Sequence, residues 1–255
     1  MQNKYDLTGK TALVTGGGQG IGRSIVLALA EAGANVIINY RNNVLLAEET
    51  AELARQFGNK VWLWPYDLVQ EEVKENYLAF VAEHQCPVDI LVTNASYQIR
   101  KPWDQVTSED FAGQMNVNVR STLFLIQGVV PYMKESGWGR ILNIGSVQQK
   151  RPHQEMPIYA ASKMALVNLV SNLAPQLAPY GITINTLSPG AIATGRNEAV
   201  LANPEYRKLT ERKIPLGYVG TPEDCAQLAL LLCSEPGRYI TGADYYVDGG
   251  MGLLF

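Results

Sequence analysis

The 255-residue chain is poor in the residues that build metal sites, with three cysteines and two histidines. Cys86, Cys225 and Cys233 form no CxxC pair, and only His84 and His153 could join them. That argues against a zinc site, so the metal expectation is none and the thiols read as reduced core residues. No apolar run is long enough to span a bilayer and no cleavable signal pattern is present, so a soluble cytoplasmic protein away from membranes is expected. A formal charge of −3 offers no basic excess for nucleic acid. Internal repeats, low-complexity tracts and shifts in composition are also missing, and the length suits one α/β domain, residues 1–255, with a large core.

What is present is an alternation of short apolar runs with helical patterns. Strands are expected at 11–15, 35–40, 61–66, 89–93, 140–145, 182–187 and 243–247. Such alternation predicts a doubly wound parallel sheet of about seven strands with helices on both faces. The run Thr11 to Val14 enters Thr15-Gly16-Gly17-Gly18-Gln19-Gly20-Ile21-Gly22, and Ile21, Ile25, Ala28, Leu29 and Ala32 then repeat at helical spacing up to Gly33. A glycine loop alone is a flexible turn. Between a buried strand and an amphipathic helix it becomes a phosphate cradle, because glycines let the anion reach the N–H groups of the helix start. Asp89 to Ser96 is a second apolar run ending in small polar residues, as expected of a central strand that delivers a loop to the ligand edge of the sheet. Thr221-Pro222-Glu223-Asp224 is a helix start, with an N-cap, a first-turn proline and acids near the positive dipole end.

Tyr159-Ala160-Ala161-Ser162-Lys163 follows Ile144-Gly145-Ser146. A free phenol, with a pKa of about 10, needs a nearby positive charge to trade protons at neutral pH. Lys163, four residues on along a helix, lies on the same face and can supply it, while Ser146 holds the reacting oxygen. By itself the spacing also fits a packed tyrosine with a solvated lysine. The glycine loop and the Asp89 to Ser96 run favour the chemical alternative.

Together these residues resemble the classical short-chain dehydrogenase/reductase family over essentially the whole chain. The glycine loop, the serine–tyrosine–lysine spacing and Tyr246-Val247-Asp248-Gly249-Gly250 all occur in family order. The resemblance implies a Rossmann-type fold and an NAD(P)-dependent enzyme interconverting a carbonyl and a secondary alcohol, with catalytic residues Asn118, Ser146, Tyr159 and Lys163. Asn118 would hold a water in a proton relay. On sequence alone it is a polar residue in a helix. Cofactor contacts implied are Gly16, Gln19, Gly20, Ile21, Gly22, Tyr40, Arg41, Asp67, Leu68, Asn94, Ala95, Ser96, Tyr159, Lys163, Pro189, Gly190, Ile192 and Thr194, the last bonding the nicotinamide carboxamide. Asp67-Leu68-Val69-Gln70 also has capping-box spacing, so Asp67 could equally be an N-cap. The family's usual Asn-Asn-Ala-Gly reads here Thr93-Asn94-Ala95-Ser96, and Ser96 is expected to adjust the site without abolishing binding. A homotetramer is a further implication of the resemblance.

Cofactor preference turns on the end of the second strand, Asn39-Tyr40-Arg41-Asn42. A carboxylate there would accept the ribose hydroxyls and repel a 2′-phosphate. Tyr40 takes that position instead, and Arg41 can pair a phosphate through its planar fork, favouring NADP(H) with NAD(H) as the alternative. Gln19, where NADP-preferring relatives often carry a basic residue, weighs against it.

The substrate is less legible. The polar loop from Val147 to Met156 favours a small hydroxylated substrate such as a sugar, polyol or keto acid, and Tyr97, Trp103, Gln148 and His153 are candidates to line its pocket. Residues 191–217, including Asn197, Glu198, Arg207, Lys208, Arg212 and Lys213, resemble the family's mobile substrate-covering segment. The alternative within the class is reduction of a 3-oxoacyl thioester on an acidic carrier protein, which the Arg207 to Lys213 cluster would dock, although Glu211 interrupts it. A non-catalytic dinucleotide sensor is the alternative from another class, and the complete serine–tyrosine–lysine set argues against it.

Overall fold

A computed structural model describes residues 4–195, 197 and 201–253. The chain alternates β1 (Thr11–Thr15), α1 (Gly20–Glu31), β2 (Asn35–Tyr40), α2 (Val44–Arg55), β3 (Val61–Pro65), α3 (Val73–His84) and β4 (Ile90–Thr93). It continues through α4 (Ser108–Met115), a π-helical turn at Asn116–Arg120, α5 (Ser121–Ser136), β5 (Gly139–Ile144), α6 (Pro157–Leu177) and β6 (Ile182–Pro189). The described elements end with α7 (Pro204–Glu211), α8 (Pro222–Cys233) and β7 (Asp244–Val247). All seven strands are parallel, in the order β3-β2-β1-β4-β5-β6-β7. Strand order reverses between β1 and β4, and the carboxyl edge at such a reversal is where doubly wound sheets open a ligand crevice.

Strand alternation divides the core. Ala12, Val14, Val36, Ile38, Ile90 and Val92 face α1, α2 and α8, whereas Leu13, Ile37, Leu91, Ile141 and Ile184 face α3, α5 and α6. Both faces are apolar because both are covered by helices. On α2 the inward stripe is Ala47, Thr50, Ala51 and Ala54, small enough to bring the helix close to the sheet beside the glycine loop.

The seven expected strands are all present, with edges shifted by a residue or two. β4 starts after Asp89 because that carboxylate accepts from the Thr11 N–H at 3.0 Å and pairs Lys10 at 3.1 Å. β6 runs on to Pro189, paired with Val247. Gly33 ends α1 in the left-handed region (φ 98°), and Thr221 caps α8 with Asp224 returning a bond to its N–H at 2.7 Å. The capping-box reading of Asp67 does not hold. Its carboxylate accepts from Val69 N–H in a tight turn, and α3 begins only at Val73.

Cys86, Cys225 and Cys233 are buried and unpaired. Burial pushes their thiols up to about 11, 12 and 12 respectively. Native protein at pH 8 is therefore expected to leave Ellman's reagent unreacted over minutes and to release three equivalents after denaturation. A fast-reacting thiol in the native state would contradict this packing.

Candidate active site

β1 delivers Thr15 to the carboxyl edge of the sheet, and Gly16 and Gly20 then turn the chain through left-handed conformations (φ 62° and 54°) into α1. A Cβ on Gly22 would collide with the Gly16 carbonyl and the Asn94 amide, so only glycine lets α1 start this close to the strand. Thr15 is the pin of this corner. Its hydroxyl oxygen accepts from the N–H groups of Asn94 (2.9 Å) and Ala95 (3.0 Å), while Asn94 Nδ2 donates back to the Thr15 and Gly16 carbonyls at 2.9 and 3.2 Å. Gln19 places no side-chain cap on α1, and the first turn carries no acid. The leading N–H groups of the helix are thus offered to the cleft, the chemistry a pyrophosphate needs.

An open cleft of about 700 Å³ runs along this edge. At one end lie Tyr40 and Arg41, where β2 ends, and Asp67 and Leu68, past β3. Asn39 Nδ2 ties the two strand ends together by donating to the carbonyls of Trp64 (3.2 Å) and Tyr66 (3.0 Å). Arg41 is exposed. In the middle, Gly16, Gln19, Gly20 and Ile21 face Asn94, Ala95 and Ser96. Beyond them Ser146, Tyr159, Lys163, Pro189, Gly190, Ile192 and Thr194 complete the wall. The elongated lining, with bare helix N–H groups halfway and an arginine at one end, fits a phosphorylated dinucleotide.

Among the expected cofactor contacts, Gly22 is packed beneath the loop rather than in the lining. Asn118 is buried in the π-helical turn. Its Oδ1 accepts from Tyr97 N–H at 2.8 Å, and its Nδ2 donates to the Tyr97 carbonyl (3.0 Å) and Ser162 Oγ (2.9 Å). Ser162 in turn donates to the Tyr159 carbonyl at 2.7 Å. The asparagine side chain therefore fixes the loop after β4 to the first turns of α6. Ser162 is a member of this chain that the sequence reading passed over, although it stands next to Lys163 in the same motif.

The catalytic candidates converge at the cleft floor. Ser146 caps a short 3₁₀ turn, its hydroxyl oxygen accepting from Gln148 N–H at 3.2 Å, which leaves its own proton to donate. Gln149 holds it from behind by accepting from Ser146 N–H at 3.2 Å and donating to Ser188 (2.8 Å) and Asp244 (2.7 Å). Tyr159 and Lys163 are one helical turn apart on α6, both buried, with the ammonium 5.8 Å from the phenol ring centre. Lys163 Nζ donates to the Ile144 carbonyl at 2.7 Å.

Tyr97, Gln148 and His153 line the far end. Trp103 does not. It is 78% exposed on a short turn away from the lining. Arg151 of the polar loop and Tyr206 and Lys213 of the substrate-covering segment also face this end, joined by Arg100 and Met251, which the sequence reading did not pick out. Of the segment 191–217, Ala191, Ile192, Thr194, Gly195, Asn197, Leu201, Tyr206, Thr210 and Lys213 line the cleft, whereas Glu198 lies outside the described residues. His153 Nδ1 accepts from Glu155 N–H at 3.1 Å, and burial, reinforced by the Arg100 charge, holds the imidazole below its usual range.

Known proteins resemble this chain in sequence and fold. A family model described as enoyl-(acyl carrier protein) reductase matches residues 16–252. Glucose 1-dehydrogenase 2 of Bacillus subtilis is 35% identical over 97% of this chain and 96% of its own. Among solved structures, a 3-oxoacyl (acyl-carrier-protein) reductase of Agrobacterium tumefaciens with NADP bound superposes with a TM-score of 0.91 at 35% identity, over 96% of this chain and 95% of that one. A gluconate 5-dehydrogenase of Burkholderia cenocepacia in complex with NADP and tartrate gives a TM-score of 0.90 at 32% identity, over 97% of each chain.

Thr15→Val keeps the shape of the corner residue but strips the acceptor from two main-chain N–H groups. The variant is expected to lose about 2 kcal/mol of stability, read from urea unfolding midpoints. An unchanged midpoint would show that the corner is held by something else.

Proposed function

The chain belongs to the short-chain dehydrogenase/reductase family and is an NAD(P)-dependent oxidoreductase, and from that premise we propose that it uses NADP(H) to interconvert a ketone or aldehyde and an alcohol on a small hydroxylated substrate. The observation that carries this reading is the convergence of Ser146, Tyr159 and Lys163 on the floor of a cleft whose other end offers Arg41. The NADP named in the two solved relatives supports the cofactor preference, and the sugar and sugar-acid substrates in two of the relatives' names support the substrate class.

Tyr40, Arg41 and Asp67 would hold the adenosine end, the N-terminus of α1 the phosphates, and Asn94, Pro189, Ile192 and Thr194 the nicotinamide end. When bound, the nicotinamide supplies or accepts the hydride. Ser146 donates its hydroxyl proton as a hydrogen bond to the substrate oxygen and so places the carbonyl carbon. Tyr159 gives that oxygen its proton, and Lys163, beside the ring, offsets the negative charge left on the phenol oxygen. In the oxidative direction the substrate's alcohol hydroxyl loses its proton to the Tyr159 phenolate. Asn118 acts here as a positioning residue. By holding Tyr97 and, through Ser162, the first turn of α6, it sets where Tyr159 stands.

Residues 191–217 would cover the substrate, since members from Ala191 to Lys213 line the cleft. The thioester alternative has support in the reductase relative, but its docking cluster is weakened. Arg207 pairs with Glu211 at 2.9 Å. A homotetramer is our reading of assembly, by family resemblance, and a cytoplasmic location our reading from the sequence pattern. Among the described residues no helix is long and apolar enough to cross a membrane.

In a side-by-side screen of sugars, polyols, keto acids and acyl thioesters with both cofactors, turnover with NADP(H) is expected to exceed that with NAD(H). Arg41→Ala should erode the preference by about tenfold. Equal or better catalytic efficiency of the wild type with NAD(H) would overturn the cofactor assignment. NADPH binding without oxidation by any member of the panel would overturn the enzymatic one.

A further inference from the structure

Charge is distributed unevenly along the cleft. The protein as a whole is acidic, with a formal charge of −3, yet the only carboxylate lining the cleft among the described residues is Asp67, at the adenosine end. The substrate end carries Arg100, Arg151 and Lys213. These come from three separate segments: the loop after β4, the loop after β5, and the stretch following α7.

Their geometry joins them into one group. Arg151 Nη1 donates to the Met251 carbonyl (2.7 Å) and to the Lys213 carbonyl (3.4 Å), which clamps its guanidinium beside the Lys213 backbone. Its remaining N–H groups have no hydrogen-bond partner among the described residues, and none of the three cations makes an ion pair there. His153 lines the same end, within electrostatic reach of both Arg100 and Lys213. With Nδ1 accepting from the Glu155 N–H, its neutral form presents an Nε2–H donor. The Glu155 carboxylate is the nearby acid, and it is exposed and outside the lining.

Like charges gathered in a concave wall without counterions repel one another, and they focus the field on the cleft that they share. A bound anion relieves that repulsion and gains charge-assisted hydrogen bonds. The catalytic pair lies along the same wall, since Ser146 and Gln148 precede Arg151 in one short loop.

The geometry points to an anion subsite formed by Arg100, Arg151 and Lys213 with His153, so that the substrate is an anionic polyol or keto acid whose charged group is seated there while its reacting carbon lies between Ser146 and Tyr159. This deepens the oxidoreductase reading above and rests on it. A carboxylate and a phosphate ester present the same oxygen chemistry to the subsite, and the experiment separates them.

The test measures kcat/KM with NADP(H) for sets of equal carbon number: a neutral sugar or polyol, the corresponding sugar acid or keto acid, and the phosphate ester, with an acyl thioester alongside. Wild-type protein is expected to prefer a carboxylate or phosphate member over its neutral counterpart by at least about tenfold, and whichever anion leads identifies the group. In Arg100→Gln and Lys213→Gln, both at exposed positions, that ratio should fall about tenfold, chiefly through KM. Added inert salt should also compress it. Wild-type turnover that favours the neutral member or the thioester would overturn the subsite and leave the oxidoreductase reading standing. Absence of turnover across the panel would overturn that reading as well, and a ratio unmoved by both substitutions would remove these residues from the subsite.

Discussion

Burial of the Lys163 ammonium is the constraint on which the rest of the site depends. A charged amine is 2% exposed at the carboxyl edge of the sheet, and its Nζ donates to the Ile144 carbonyl at 2.7 Å. Removing such a charge from water is costly unless hydrogen bonds replace the lost hydration. That requirement draws α6 against the end of β5. Once they are joined, Ser146, two residues beyond Ile144, and Tyr159, one turn before Lys163, face the same cleft floor. Gln149 steadies the serine side through Ser188 and Asp244, and Asn118 with Ser162 steadies the tyrosine side. Two polar networks thus flank the cleft floor, one behind Ser146 and one behind Tyr159.

The doubly wound sheet could be read from the chain because its signals are local. Period-two apolar runs, a glycine loop opening a 3.6-period helix and Thr221 with Pro222 each predict the element they occupy. Strand edges moved by a residue or two because tertiary bonds, such as that from Asp89 to Thr11, decide where a ladder stops. Asp67 was ambiguous for a related reason. Capping spacing is shared by a helix start and an isolated turn, and here the turn closed first.

Much of the candidate site was legible as a set of positions, partly through the motifs themselves and partly through resemblance to a family. Its contacts were not. Asn118 reaches the backbone of Tyr97, and Thr15 reaches the N–H groups of Asn94 and Ala95, pairings between distant stretches that no spacing encodes. The basic substrate end is the clearest case. Arg151 and Lys213 stood in segments expected near the substrate and Arg100 in neither, and only the fold gathers the three charges around one opening. Trp103 shows the converse, an aromatic close in sequence to the pocket that the fold turns outward.

The division of labour within the site is open to a direct measurement. If Tyr159 carries the proton while the glycine loop, Arg41 and the α1 terminus hold the cofactor, then binding and chemistry can be separated by a single oxygen atom. In Tyr159→Phe, calorimetric NADPH affinity should stay within about threefold of wild type, whereas single-turnover reduction of a carbonyl that the wild type accepts should slow by roughly 10²–10⁴-fold. A variant that binds NADPH and retains most of the wild-type single-turnover rate would contradict the account.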